Sequence, residues 1–261
     1  MNIFGVLASK QNRQLLSELA KREIKQRYKQ SVLGYVWVIV NPLAQMIVMS
    51  FVFSRIFGVA EIGVPYSIFL FAGLLPWNLF TSSLQSATNS LVENSGLLSK
   101  IYFPREVLVM SAILAKMVDF GLATMIFVIM MIFYRIPLSW NVLWFVPIFV
   151  IQNVFTYGLG LVLAAFNLFY RDIQYLLNLV LLVWMYLTPI MYMPEIFPEQ
   201  YRWIFQLNPM AVMVNAYRQT ILGGGAPNLI SLGIALLLAV ILAGGGFFIF
   251  KKLEGQFADA V

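Results

Sequence analysis

A chain of 261 residues that is 61% hydrophobic and only 11% charged, with a mean hydropathy of +0.84, excludes an ordinary soluble domain, in which roughly a quarter of residues are charged. Its net charge of +6 resides mostly in basic residues flanking apolar runs, which speaks for a membrane surface rather than for nucleic acid. With neither cysteine nor histidine, it can form no disulfide, thiolate nucleophile or cysteine metal site, and it lacks the commonest general base and metal ligand.

From Asn12 to Gln30, Leu15, Leu16, Leu19, Ala20, Ile24 and Tyr28 recur at helical spacing among Lys21, Arg22, Lys25, Arg27 and Lys29. This pattern predicts an amphipathic helix lying on an anionic leaflet. Charged residues including Glu18 and Glu23 precede the first long apolar run, so the segment does not have the form of a cleavable signal.

Six apolar spans follow, at 32–54, 66–91, 107–134, 141–168, 174–192 and 228–250. A bilayer core takes about 20 apolar residues as a helix, whereas barrels show short alternating segments, so the fold is all-α and integral to the membrane. Lys10, Arg13, Lys21, Arg22, Lys25, Arg27, Lys29, Lys100, Arg105, Arg171, Lys251 and Lys252 fall on one side, and only Arg55, Arg135, Arg202 and Arg218 on the other. The basic excess predicts that both termini are cytoplasmic.

Pro42 and Pro76 lie inside the first two spans and are expected to kink them. The second span carries Thr81, Ser82, Ser83, Gln85, Ser86, Thr88, Asn89 and Ser90, which must face protein or water. Lys116 and Asp119 lie three apart in the third span and read as a neutralised packing pair rather than a piece of a pathway. Gly158 and Gly160 in the fourth span and Gly244 to Gly246 in the sixth predict close helix approach. Between Tyr192 and Pro227 the prolines, glycines and charges interrupt any span, which predicts short re-entrant helices on the outer side.

No phosphate-binding GxxxxGK[ST] pattern occurs, and the eleven carboxylates show no spacing suited to a hydrolase or a metal. A secondary transporter would carry internal repeats and more midplane ionisable residues than one pair. A membrane glycosyltransferase would need a sugar-nucleotide site, and none is evident in the sequence.

Four blocks then carry a resemblance: RYKQSVLGYVWVIVNPL from Arg27, LLPWNLFTSSLQSATNSLVENSGLLSKIYFPREVL from Leu74, FYRDI from Phe169 and PEQYRWIFQLNPM from Pro198. Together they resemble the membrane subunit of ABC-2 type polysaccharide exporters, the O-antigen permeases and their teichoic acid and capsule relatives. ABC-2 exporters of drugs or lipids share the architecture and form the alternative.

The resemblance implies a cytoplasmic interface helix over 1–31 and a six-span ABC-2 transmembrane domain over 32–261, with re-entrant outer helices between spans five and six. It implies no enzyme and no cofactor in this chain, ATP and Mg belonging to a separate ABC ATPase. The expected assembly is two copies of the chain with two ATPase subunits in the bacterial inner membrane, moving an undecaprenyl-pyrophosphate-linked polysaccharide and no nucleic acid. Arg27, Lys29, Ser31, Leu33 and Gly34 would lie near the lipid pyrophosphate. Tyr35, Trp37, Trp184, Tyr186 and Tyr192 would offer aromatic faces to sugar. Glu93, Leu97, Leu98, Lys100, Tyr102, Phe103 and Arg105 would dock into the ATPase, with Tyr170, Arg171 and Asp172 as a second contact. The apolar members of that loop are expected to be exposed, because apolar residues in a polar loop mark a partner surface.

Overall fold

The computed structural model describes residues 9–28, 33–56, 63–98, 103–196, 198–201 and 203–257, except for the side chains of Arg27, Tyr28, Arg55 and Glu195. Helices α1 (Lys10–Tyr28), α2 (Val36–Phe51), α3 (Tyr66–Glu93), α4 (Ser95–Leu98) and α5 (Glu106–Phe133) form the first half. They are followed by α6 (Phe145–Phe169), α7 (Ile173–Leu187), α8 (Trp203–Leu207), α9 (Pro209–Ile221) and α10 (Leu229–Leu253). No strand occurs among the described residues.

Among the described residues, five segments are long and apolar enough to cross a membrane: Val36–Ser54, Tyr66–Glu93, Glu106–Phe133, Trp140–Phe169 and Leu229–Gln256. The fifth span expected from the sequence, 174–192, is instead the 15-residue α7, about 22 Å long at 1.5 Å per residue. It stops early because Pro189 drives Thr188 out of helical geometry, to ψ 129. Pro42 and Pro76, by contrast, sit inside α2 and α3, which continue through them.

α3 is the central post, with most of its length buried against α5 and α6. Its polar stripe turns inward, as expected: Ser83, Thr88 and Ser90 are buried, and the Thr88 and Ser90 hydroxyls donate to the carbonyls of Leu84 and Ala87. Buried Gln152 of α6 donates to the Pro76 carbonyl at 2.7 Å. Asn167 donates to Thr88 O and Asn89 Oδ1, both at 3.1 Å, and accepts from the Gln174 N–H, fixing the α6–α7 corner on α3.

α6 and α10 cross at backbone contact. A Cβ on Gly158 would lie 2.5 Å from the Ala243 nitrogen, and one on Gly246 would lie 2.4 Å from the Gly158 carbonyl oxygen. Gly160 serves α3 instead, facing Ala87. Gly244 and Gly245 meet no neighbour, so only one glycine of that triplet makes the close approach.

α1 does not rest on a leaflet by its apolar side alone. Leu15, Leu16 and Leu19 pack against Val107, Met110 and Leu114 of α5. Polar bonds strap the helix to α3: Arg22 donates to Asn94 Oδ1, and the Ser86 hydroxyl donates to Glu23 at 2.6 Å. The first and last described elements, α1 and the turn after α10, therefore meet the α3–α5 connection at one end of the bundle, here called the basic end. α8 and α9 close the other, the cap end.

Candidate functional site: a basic end, a cap and an intramembrane cleft

At the basic end, part of the segment expected to dock a partner is occupied by the chain itself. Leu98 is buried, and Phe103 packs on the cluster built from Leu168, Phe250 and Phe257. The expectation that the apolar residues here are exposed is corrected for Leu98 and Phe103: the turn after α10 folds back over these two. Lys251 donates to Glu106 at 2.7 Å and to Glu254 at 2.8 Å. Arg105 donates to the Glu254 carbonyl and lies 5.7 Å from the Phe257 ring centre. Glu106 is only 1% exposed, so Lys251 is the charge that makes its burial tolerable.

Leu97 is half-buried and Glu93 exposed. Lys100 and Tyr102 lie outside the described residues. Tyr170, Arg171 and Asp172 are all exposed on the α6–α7 corner, held out by the Asn167 bonds.

Of the residues expected near a pyrophosphate, Lys29 and Ser31 lie outside the described residues, as does the side chain of Arg27. Leu33 is exposed. Gly34 has φ +49, in the left-handed region where only glycine is unstrained, which explains why a glycine starts this turn into α2. Among the aromatics, Tyr35, Trp37 and Tyr186 are exposed. Trp184 instead packs edge-on against Phe80 and Phe155 and donates its ring N–H to Asn208 at 2.8 Å. Tyr192 donates to the Tyr186 carbonyl at 2.7 Å and packs on Phe205.

The cap is knotted by two residues that no functional reading of the sequence singled out. Asn208 accepts from the N–H groups of Met210 and Ala211 to start α9, with Pro209 at the first helical position. Its amide nitrogen donates to Leu187 O and Thr188 Oγ1, joining the end of α7 to α9. Arg218, counted from the sequence among the outer-side cations, is only 7% exposed. Its guanidinium donates to the carbonyls of Phe69, Pro189 and Ile190 and lies 3.7 Å from the Phe69 ring centre. Gly73 makes the room, since a Cβ there would meet the Arg218 Nη2 at 2.5 Å. Five donors in a planar fork suit Arg to gather unpaired carbonyls where the chain leaves a helix.

Between α2, α3 and α5 lies a cleft of about 540 Å³. α2 contributes Trp37, Asn41 and Gln45, α3 contributes Asn78, Thr81 and Ser82, and α5 contributes Lys116, Asp119 and Phe120. Asn78 donates to Gln45 at 3.0 Å across the α2–α3 wall. Lys116 and Asp119 thus both line this cleft.

The family model described as ABC-2 type transporter matches residues 14–222. The chain belongs to the ABC-2 type transporter family. It is similar to an O-antigen export system permease protein RfbA of Klebsiella pneumoniae, with 35% identity over 249 residues and 94% of each chain covered. A protein of the same name from Myxococcus xanthus is 30% identical over 253 residues, covering 96% of each chain. The Polysialic acid transport protein KpsM of Escherichia coli is 22% identical, covering 89% of this chain and 91% of its own. This ABC-2 permease is thus a multi-pass membrane protein built to transport, in keeping with a sequence that offers no hydrolase or nucleotide motif.

Proposed function

We propose that this chain is the membrane subunit of an ATP-driven exporter of lipid-linked polysaccharide. The observation that carries the reading is similarity over nearly the full length to proteins named for O-antigen export and polysialic acid transport. On this reading the basic end is cytoplasmic, which the Lys/Arg excess supports, and the membrane is the bacterial inner membrane. Two copies pair with two ATPase subunits, which hold ATP and Mg.

The exposed Tyr170–Asp172 corner supports an ATPase contact. The uncovered faces of α2 and α7 suit a conduit wall shared between copies. The turn at Leu33 and Gly34, with the basic residues before it, would receive the pyrophosphate, and Tyr35, Trp37 and Tyr186 would offer flat faces to passing sugar. Trp184 is held differently: its ring packs edge-on against Phe80 of α3 and Phe155 of α6, and its N–H donates to Asn208 of the cap.

Deleting the gene is expected to abolish surface polysaccharide, and supplying the chain to restore it. Intact surface polysaccharide with altered drug tolerance would move the reading to a drug exporter. Charge reversal at Arg171 is expected to reduce co-purification of the ATPase at an unchanged level of the chain in the membrane. The purified chain alone is expected to hydrolyse no ATP.

A further inference from the structure

The cleft between α2, α3 and α5 sits deep in the bundle: Lys116 is ten residues into α5 from Glu106, about 15 Å along the helix axis. Amides, hydroxyls and an oppositely charged pair at that depth are costly against lipid, and they persist where they face protein or water. The volume of about 540 Å³ falls in the range of small-molecule sites, roughly 300–1,000 Å³. The chemistry of its wall narrows the occupant.

One cation and one carboxylate leave the wall without net charge, which disfavours a phosphate or an anionic headgroup. Val38, Pro42, Leu75, Leu79 and Ala123 also line the cleft, but seven polar or charged side chains among its walls disfavour an acyl chain. What remains is matched donors and acceptors beside one exposed aromatic ring, Trp37, with Phe120 closing the floor from the core, where it stacks on Phe145 and Phe149. The Asn78–Gln45 bond uses one donor and one acceptor of two amides, leaving further capacity of both kinds. Thr81 and Ser82 direct their hydroxyl protons to backbone carbonyls of their own helix, so each oxygen keeps a lone pair for a ligand. Neutral polyhydroxylated rings ask for this combination, with hydroxyls on mixed polar groups and a carbon face on an aromatic ring.

One wall is α2, in which only Val38 and Met46 are buried, so the rest of the bundle holds that side of the cleft least. We infer that the cleft is a sugar-binding side pocket within a single subunit, in which Asn41, Ser82, Lys116 and Asp119 hold the hydroxyls of one or two residues of the exported glycan. The inference rests on the polysaccharide reading and adds to it a site inside each copy.

The cysteine-free chain permits a direct test in the assembled transporter. Ser82→Cys is prepared in inverted membrane vesicles, from cells that make the surface glycan and from cells that cannot, and is labelled with a cationic, membrane-impermeant methanethiosulfonate. Gln14→Cys on exposed α1 and Ile129→Cys on the uncovered face of α5, 63% exposed, set the fast and slow limits. Ser82→Cys is expected to label at least tenfold faster than Ile129→Cys without glycan, and at least fivefold more slowly once glycan is present, with Gln14→Cys unchanged. Asn41→Cys reads the same cleft from α2 should Ser82→Cys fail to accumulate.

Labelling as slow as at Ile129→Cys, or equal with and without glycan, overturns the pocket. Surface glycan measured in the same strains separates the two readings. Export that needs the chain, without protection of the cysteine, removes the pocket and leaves the exporter, whereas export that does not need the chain removes both.

Discussion

α3 and α2 are neighbours with opposite fates: 78% of the most apolar window of α3 is buried inside the molecule, against 6% for α2. α3 carries the long Thr, Ser, Asn and Gln stripe, whereas the outer faces of α2 and α10 are almost wholly aliphatic and aromatic. The order is the reverse of a soluble protein, in which the apolar helix would be the core. In a bilayer the solvent is itself apolar, so burying aliphatic surface gains little, whereas polar side chains are driven inward to find partners.

The contrast is broken most severely where a charge holds buried backbone. Arg218→Met removes the donor to three carbonyls around the cap, and we expect a loss of roughly 3–5 kcal/mol, since each buried acceptor left unsatisfied costs about 1–3 kcal/mol. The measurement is thermal unfolding of the detergent-purified chain, with Val48→Ala on the exposed face of α2 as the comparison, expected within about 0.5 kcal/mol of wild type. Equal effects at the two sites would dissolve the distinction between covered and uncovered helices.

Next in size is Gly158→Ala, whose Cβ would press on the α10 backbone. A cost of about 1–3 kcal/mol is expected, and Gly244→Ala, which meets open space, should be close to neutral in the same assay. At the basic end, Lys251→Met strands the buried Glu106 and should cost about 2–3 kcal/mol. Adding Glu106→Gln should recover much of it, because removing both charges is far cheaper than removing one. Failure of the double variant to recover would show that Lys251 acts through something other than that pair.

The smallest change runs the other way. Arg135 ends α5 with φ 56, a conformation that suits glycine, so Arg135→Gly is expected to stabilise by about 1 kcal/mol. A drop in unfolding temperature would instead reveal a side-chain role for Arg135.

Much of the scaffold was legible in order along the chain. Five of six expected spans match helices within a few residues, because long apolar runs and Pro, Gly and Asn boundaries act locally. Gly158 was legible as a packing glycine, but its partner was not: among Gly244 to Gly246 only the register of the α6–α10 crossing selects Gly246. The candidate site divides in the same way. The Tyr170–Asp172 corner is exposed, whereas Leu98 and Phe103 are covered by Phe250 and Phe257, some 150 positions away. Arg218 looked like one more outer cation, since its carbonyl partners lie on segments that no local pattern connects. Asn208 stood inside a quoted block, but its capping and cross-linking bonds required the folded chain.

The sequence by itself determined that this is an all-helical membrane protein with a basic amphipathic helix before its first span and an interrupted segment before its last. Those properties follow from transfer of residues into a bilayer and from backbone hydrogen bonding within each helix. Only the tertiary structure decided which polar groups meet: that Lys116 and Asp119 share a cleft with Asn41 and Ser82, that Arg218 ties the cap, and that the turn after α10 shields the loop before α5. Such meetings depend on helix rotation and register, set by contacts between residues far apart in the chain, and periodicity within one helix carries no record of them.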